Sequence, residues 1–150
     1  CYSLGNYLFQ RYVQSSGRYE GETNMFDNVI LCQSDVDNEG HAQWVETIAA
    51  GKQVYVTINE KDRVLKASDA NFQKDRLGRT VRDLNANNAV YFDFTKGKNI
   101  GSTHGLFRMT KTDNLVVNDF FKVVLNGERP EEDDRWNFDS RQNVFRIPRK

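Results

Sequence analysis

Three short, unbroken apolar runs most constrain how this chain folds: Val29-Ile30-Leu31-Cys32, Val54-Tyr55-Val56-Thr57-Ile58 and Val90-Tyr91-Phe92-Asp93-Phe94. A strand covered on one face alternates apolar with polar residues, whereas a strand covered on both faces reads as a continuous apolar run. The second run is also rich in β-branched residues, which suit a pleated surface. Between the runs lie stretches with helical spacing. Leu4, Leu8 and Tyr12 recur over residues 4–16, ended by Ser15-Ser16-Gly17. Trp44, Val45, Ile48 and Ala49 share one face over residues 39–50, with Gly51 at the C-cap position. A helix begins near Arg63 with Val64 and Leu65, and Val116, Phe120, Val123 and Val124 mark a last helix over 115–125 before Asn126-Gly127. Helix and strand alternate, the pattern of an α/β fold with a mostly parallel, doubly wound sheet.

The connecting stretches read as loops: residues 18–24, residues 69–88 apart from a turn around 72–77, and the glycine-containing segment 96–105. The last 23 residues change character. A charge run, Glu131-Glu132-Asp133-Asp134-Arg135, gives way to apolar residues among basic ones. Residues 1–127 are therefore expected to form the α/β domain and 128–150 a C-terminal arm, extended or partly disordered.

With 150 residues, one domain with a real core is expected. Lys plus Arg equals Asp plus Glu at 21 each, so no global charge draws the chain to nucleic acid or an anionic membrane. No apolar stretch approaches the ~18 residues that a membrane span needs. Of the two cysteines, Cys32 lies in an apolar run and reads as a buried thiol, so no disulfide framework is expected. No metal site and no cofactor is called for.

Chemistry-bearing residues cluster where a parallel sheet gathers them, just beyond the C-terminal ends of its strands. Cys1-Tyr2-Ser3-Leu4-Gly5 approximates G-x-S-x-G, the sharp strand-to-helix turn that presents a serine hydroxyl, with Cys1 in place of the first glycine. Asp62 follows the second run and His104 lies in the loop after the third. A serine hydroxyl is a weak nucleophile until an imidazole takes its proton, and a carboxylate fixes that imidazole's tautomer. The chain order Ser, Asp, His suits such a set.

Residues 28–37, Asn-Val-Ile-Leu-Cys-Gln-Ser-Asp-Val-Asp, and the block from Val54 to Ser68 resemble a family of largely uncharacterised bacterial α/β-hydrolases. Members pair a D-V-D after one strand with a Y-V-S-x-x-D-x-A-L block after the next, and their elbow reads H-S-M-G-N. Here Tyr2-Ser3-Leu4-Gly5-Asn6 is similar, and Leu77-Gly78 and Thr103-His104-Gly105 fall in matching places. The resemblance spans roughly residues 1–125. It implies an esterase- or lipase-like serine hydrolase acting on a small-molecule ester, in the C-terminal part of a three-layer sandwich. Ser3 would be nucleophile, Asp62 acid and His104 base, with the Leu4 backbone N–H in the oxyanion hole. Asp35 or Asp37 would be a loop carboxylate or a substitute acid. An elbow needs a strand before it, so the chain is expected to be the C-terminal portion of a longer polypeptide, whose N-terminal half is a partner in completing the site. A cytoplasmic location is expected.

Three other readings remain open. Asp35-Val36-Asp37-Asn38-Glu39-Gly40 with Glu46 matches several ligand positions of an EF-hand calcium loop, but follows a strand-like stretch where a helix would stand. The same Asp35-x-Asp37 resembles the start of a magnesium-dependent haloacid-dehalogenase-type phosphatase, with Lys61 and Asp62 as later members. A catalytically inactive hydrolase fold that binds a partner through Tyr2, Trp44, Trp136 and the tail from Phe138 onward is the non-enzymatic alternative.

Overall fold

A computed structural model describes residues 1–15, 25–111 and 114–147. The expected helix end at Ser16-Gly17, the loop over 18–24 and the last three residues of the tail lie outside the described residues. The chain is a mixed α/β fold around a five-stranded, mostly parallel sheet. In order run α1 (Gly5–Gln14), β1 (Phe26–Cys32), α2 (His41–Val45), β2 (Gly51–Ile58), α3 (Arg63–Phe72), β3 (Ala89–Asp93), α4 (Leu115–Leu125), β4 (Asn137–Asp139) and β5 (Val144–Arg146). The spatial order is β1-β2-β3-β5-β4. All neighbours pair parallel except β4, which pairs antiparallel with β5.

The three apolar runs form the adjacent strands β1, β2 and β3, which are covered on both faces. Successive strand residues point to opposite faces, and the two sets enter different cores. Val29, Leu31, Val54, Val56, Ile58 and Tyr91 pack with Val13 of α1 and with Trp44 and Val45 of α2. Cys32, Tyr55 and Phe92 pack with Val117, Phe120, Phe121 and Val124 of α4. Each side chain taken fully out of water in this way contributes about 1.5–3 kcal/mol.

Four expectations are corrected. The helix expected over 39–50 is only His41–Val45, and Gly51 is not its cap. Gly51 pairs with Phe26 as the first residue of β2, and the Phe26 N–H donates to Ala50 O at 2.9 Å, so the sheet ladder claims this segment as extended chain. Helix α3 runs on to Phe72, into the stretch read as irregular. The remainder of that stretch is not a surface loop, because Leu77, Val81, Leu84 and Ala86 are buried in the core.

The fourth correction concerns the tail. Residues 128–147 are no arm: β5 lies parallel to β3, with Phe92 opposite Phe145 and Asp93 opposite Arg146. The Arg146 guanidinium meets the buried Asp93 carboxylate at 2.5 Å, and the Trp136 ring stands 4.6 Å from Phe92. Strands of three residues are too short for any periodicity to show. Their apolar side chains find partners only on a sheet built elsewhere in the chain.

His41 is buried, with Nδ1 2.7 Å from Asn38 O and Nε2 2.7 Å from the Tyr91 hydroxyl. Desolvation by burial is the main cause that holds its pKa below the ordinary value. A lowered folded value means that the unfolded chain takes up the proton first as pH falls. The stabilising contribution is therefore full above about pH 6.5 and shrinks as pH drops below it, with a slope of at most ~1.4 kcal/mol per pH unit. Urea unfolding between pH 7.5 and 5.5 should show this loss, and His41→Asn should remove its share of the pH dependence.

Candidate active site

Because β1, β2 and β3 are parallel, their C-terminal ends lie along one edge of the sheet. A short stub joins them there. Tyr2 forms a parallel bridge to Cys32, the Ser3 N–H donates to Cys32 O at 3.0 Å, and the Cys32 N–H donates to Cys1 O at 2.9 Å. The chain then turns into α1 within two residues. At this turn Ser3 has φ 49°, in the left-handed region that a non-glycine residue seldom occupies without compensation. The compensation comes from Asn6, fully buried, whose Nδ2 donates to Ser3 O at 2.9 Å, and from the Asp35 N–H, which reaches Ser3 O at 3.3 Å. Gly5 is not required by crowding, since a Cβ built there meets nothing within 4 Å.

His104 sits between β3 and α4 on a segment held by two buried amides. Thr103 O accepts from Gln33 Nε2 and from Asn59 Nδ2, each at 2.9 Å, and Asn59 Nδ2 also donates to Gly101 O at 3.2 Å. The Tyr2 hydroxyl donates to His104 O at 2.6 Å. Asp62 is the N-cap of α3: its Oδ1 accepts from the Val64 and Leu65 N–H groups at 2.9 and 3.1 Å. Its Oδ2 accepts from Gln33 Nε2 at 2.6 Å and faces His104 Nδ1 at 2.7 Å. The other ring nitrogen, Nε2, is 2.7 Å from Ser3 Oγ.

Ser3, His104 and Asp62 thus form one hydrogen-bonded line. A carboxylate oxygen opposite Nδ1 calls for the proton on Nδ1, which leaves the Nε2 lone pair free to accept the serine proton. The carboxylate is fully buried and the imidazole side chain is 15% exposed, so the line is open to solvent only at its serine end. The Leu4 N–H has no acceptor among the described residues, whereas its neighbours Gly5 and Asn6 donate to Tyr2 O and Ser3 O. A free N–H beside the serine suits an oxyanion.

Asp35 and Asp37 are not substitute acids for this line. Asp35 accepts from the Ser68 hydroxyl at 2.6 Å, and both carboxylates flank the buried Arg76 guanidinium, with Lys74 on the outer oxygen of Asp37. The calcium-loop pattern does not close around a point either: the Glu46 carboxylate takes the Asn87 N–H at 2.8 Å, away from Asp35. A cation between Asp35 and Asp37 would compete with Arg76, which opposes the phosphatase reading of the same pair. Among the described residues no group of three metal-ligating side chains occurs.

Two cavities are lined by chain neighbours of Ser3 and His104, though by none of the three residues themselves. One of about 470 Å³ is lined by Leu4, Tyr7, Arg11, Phe72 and Arg76. The other, about 370 Å³, is mostly apolar and is lined by Tyr2, Ile30, Cys32, Gly105 and Phe107. A third, about 320 Å³ between α4 and the tail, touches none of the three residues. Gln33 and Asn59 were not singled out from sequence as site residues. The signal was a carboxamide placed directly after an apolar run at both Cys32-Gln33 and Ile58-Asn59.

Compared with known proteins, the chain matches no family model, no curated protein and no solved structure.

Two substitutions probe this geometry. Asp62→Asn keeps an oxygen for the helix cap but turns an NH₂ toward two donors, Gln33 Nε2 and His104 Nδ1. Stability should fall by about 1–3 kcal/mol, and ¹⁵N shifts of the imidazole should report the opposite tautomer. At Gly78 a Cβ would stand 2.3 Å from Ser34 N and 2.4 Å from Gln33 C, both backbone atoms. Gly78→Ala should therefore cost about 1–3 kcal/mol in urea unfolding and displace the Gln33 amide.

Proposed function

We propose that this chain carries the catalytic centre of a carboxylic-ester hydrolase of the α/β-hydrolase kind, with Ser3 as nucleophile, His104 as base and Asp62 as its orienting acid. The observation that carries the reading is the line from Ser3 Oγ to His104 Nε2 at 2.7 Å and from His104 Nδ1 to Asp62 Oδ2 at 2.7 Å. The strained backbone at Ser3 and the free Leu4 N–H support it, as does the mostly parallel sheet whose strand ends bear all three residues.

The chemistry follows from the positions. Ser3 Oγ attacks the ester carbonyl carbon while its proton passes to His104 Nε2. Asp62 Oδ2, holding Nδ1–H, stabilises the imidazolium that forms. The carbonyl π electrons move to oxygen, where the Leu4 N–H meets the developing charge, a contact of a type whose loss lowers kcat by about 10²–10³. As the carbonyl re-forms, the bond to the alkoxy oxygen breaks and His104 returns the proton to the departing alcohol. Water then repeats the sequence on the acyl-serine, losing its proton to His104, and releases the acid.

A fluorophosphonate probe should form one adduct on Ser3, identified by peptide mass spectrometry and absent from Ser3→Ala. His104→Ala should slow the labelling and lower kcat for ester turnover by about 10⁶. An unlabelled Ser3 in folded protein would sink the reading and favour a partner-binding role for the fold.

A further inference from the structure

Gln33, the first residue after β1, has no role in the reaction just described, yet its side-chain amide is bonded directly to Asp62 and to the segment that carries His104. It is completely buried and has φ 42°, a conformation that costs a non-glycine residue about 1–3 kcal/mol. Its surroundings enforce that conformation. The Gln33 N–H donates to Thr57 Oγ1 at 3.1 Å, and Gly78 has its missing side chain opposite the Gln33 Cα and carbonyl carbon. The strain aims the side chain along the sheet edge, where every polar valence of the amide is used. Nε2 donates to Asp62 Oδ2 at 2.6 Å and to Thr103 O at 2.9 Å, and Oε1 accepts the Leu106 N–H at 2.7 Å. One amide therefore grips the acid and both flanks of His104.

We propose that Gln33 is a positioning residue that sets the basicity of His104 by sharing Asp62 Oδ2 with its imidazole, while it fixes the ring's loop against the serine. The inference rests on the serine-hydrolase reading. A hydrogen bond to a carboxylate oxygen spreads its charge, so Gln33 draws off part of the density that would otherwise stabilise the imidazolium. With that donor present the imidazolium gives up its proton more readily to the leaving alcohol. The other titratable or charged groups beside the site include Tyr2, whose ring centroid is 5.1 Å from that of His104, and Cys1, Cys32 and Arg108 along the neighbouring cavity. None of these bonds a ring nitrogen, so Asp62 is the route by which the imidazole's charge is tuned.

The test compares wild type with Gln33→Met, which keeps the length and removes the donor, and with Gln33→Glu, whose carboxyl, buried against Asp62, shares one proton with it and so keeps both a donor to Oδ2 and the acceptor for Leu106. The acidic limb of the kcat/KM–pH profile should move up by about 0.5–1 unit in the Met variant and stay near its wild-type place in the Glu variant. In the Met variant kcat should fall roughly 10–100-fold with KM nearly unchanged. A measurement on wild type alone covers the case in which neither variant folds: the Gln33 Nε2 proton resonances should exchange slowly with solvent and shift with the titration of His104. A Met-variant limb that stays in place while thermal stability drops, or Gln33 resonances indifferent to that titration, would overturn the role for Gln33 and leave the hydrolase reading standing. Failure of a fluorophosphonate to label wild-type Ser3 would instead remove the hydrolase reading, and this inference with it.

Discussion

The Asp62 carboxylate joins the fold to the candidate site. One oxygen holds the first turn of α3 through two backbone N–H groups, and the other holds Gln33 and His104. A fully buried carboxylate is tolerable only when donors surround it, because an unpaired buried charge is strongly destabilising. Here those donors come from the end of β1, the start of α3 and the loop before α4. The carboxylate thus requires three separate parts of the chain to be correctly placed, and their placement is what sets the imidazole over Ser3.

That placement depends on the sheet. Parallel pairing brings the ends of β1 and β2 into register, with Cys32 beside Thr57 and Ile58 beside Asp93, so the residues that follow emerge side by side. Two cores hold the sheet flat between them, and the aromatic cluster of Phe92, Phe94, Phe120 and Trp136 anchors the strand that the tail adds. The same edge tolerates two strained non-glycine residues, Ser3 and Gln33, each held by buried hydrogen bonds. Strain of this kind persists only where the surroundings over-determine it, and it concentrates where side chains must be aimed.

Asp35 and Asp37 show how an acidic motif acquires its meaning from what folds against it. As a string, D-V-D after an apolar run is compatible with an acid, a metal loop or a nucleophile. In the fold, Arg76 enters between the two carboxylates and its guanidinium lies 4.4 Å from the centre of the Phe72 ring. The pair then fastens the segment after α3 to the loop after β1. No local pattern announces such a partner 39 residues away.

The sequence by itself determined the parts whose information is local. Three continuous apolar runs became the adjacent strands β1, β2 and β3, helical spacing and a terminal Asn-Gly marked α4, and Asp62 had the position of a cap at the start of α3. The order of Ser3, Asp62 and His104 could be read directly, and the last two follow strands that, being parallel, send their following residues to one edge. Tertiary structure decided the rest. The strands β4 and β5 exist only because β3 offers them an edge, α2 is short because the ladder takes Gly51, and Gln33 matters because Asp62, Thr103 and Leu106 converge on its amide. The physical reason is range. Periodicity and capping are written within a few residues, whereas a buried amide or a three-residue strand gains its stability from partners that only the folded chain brings near.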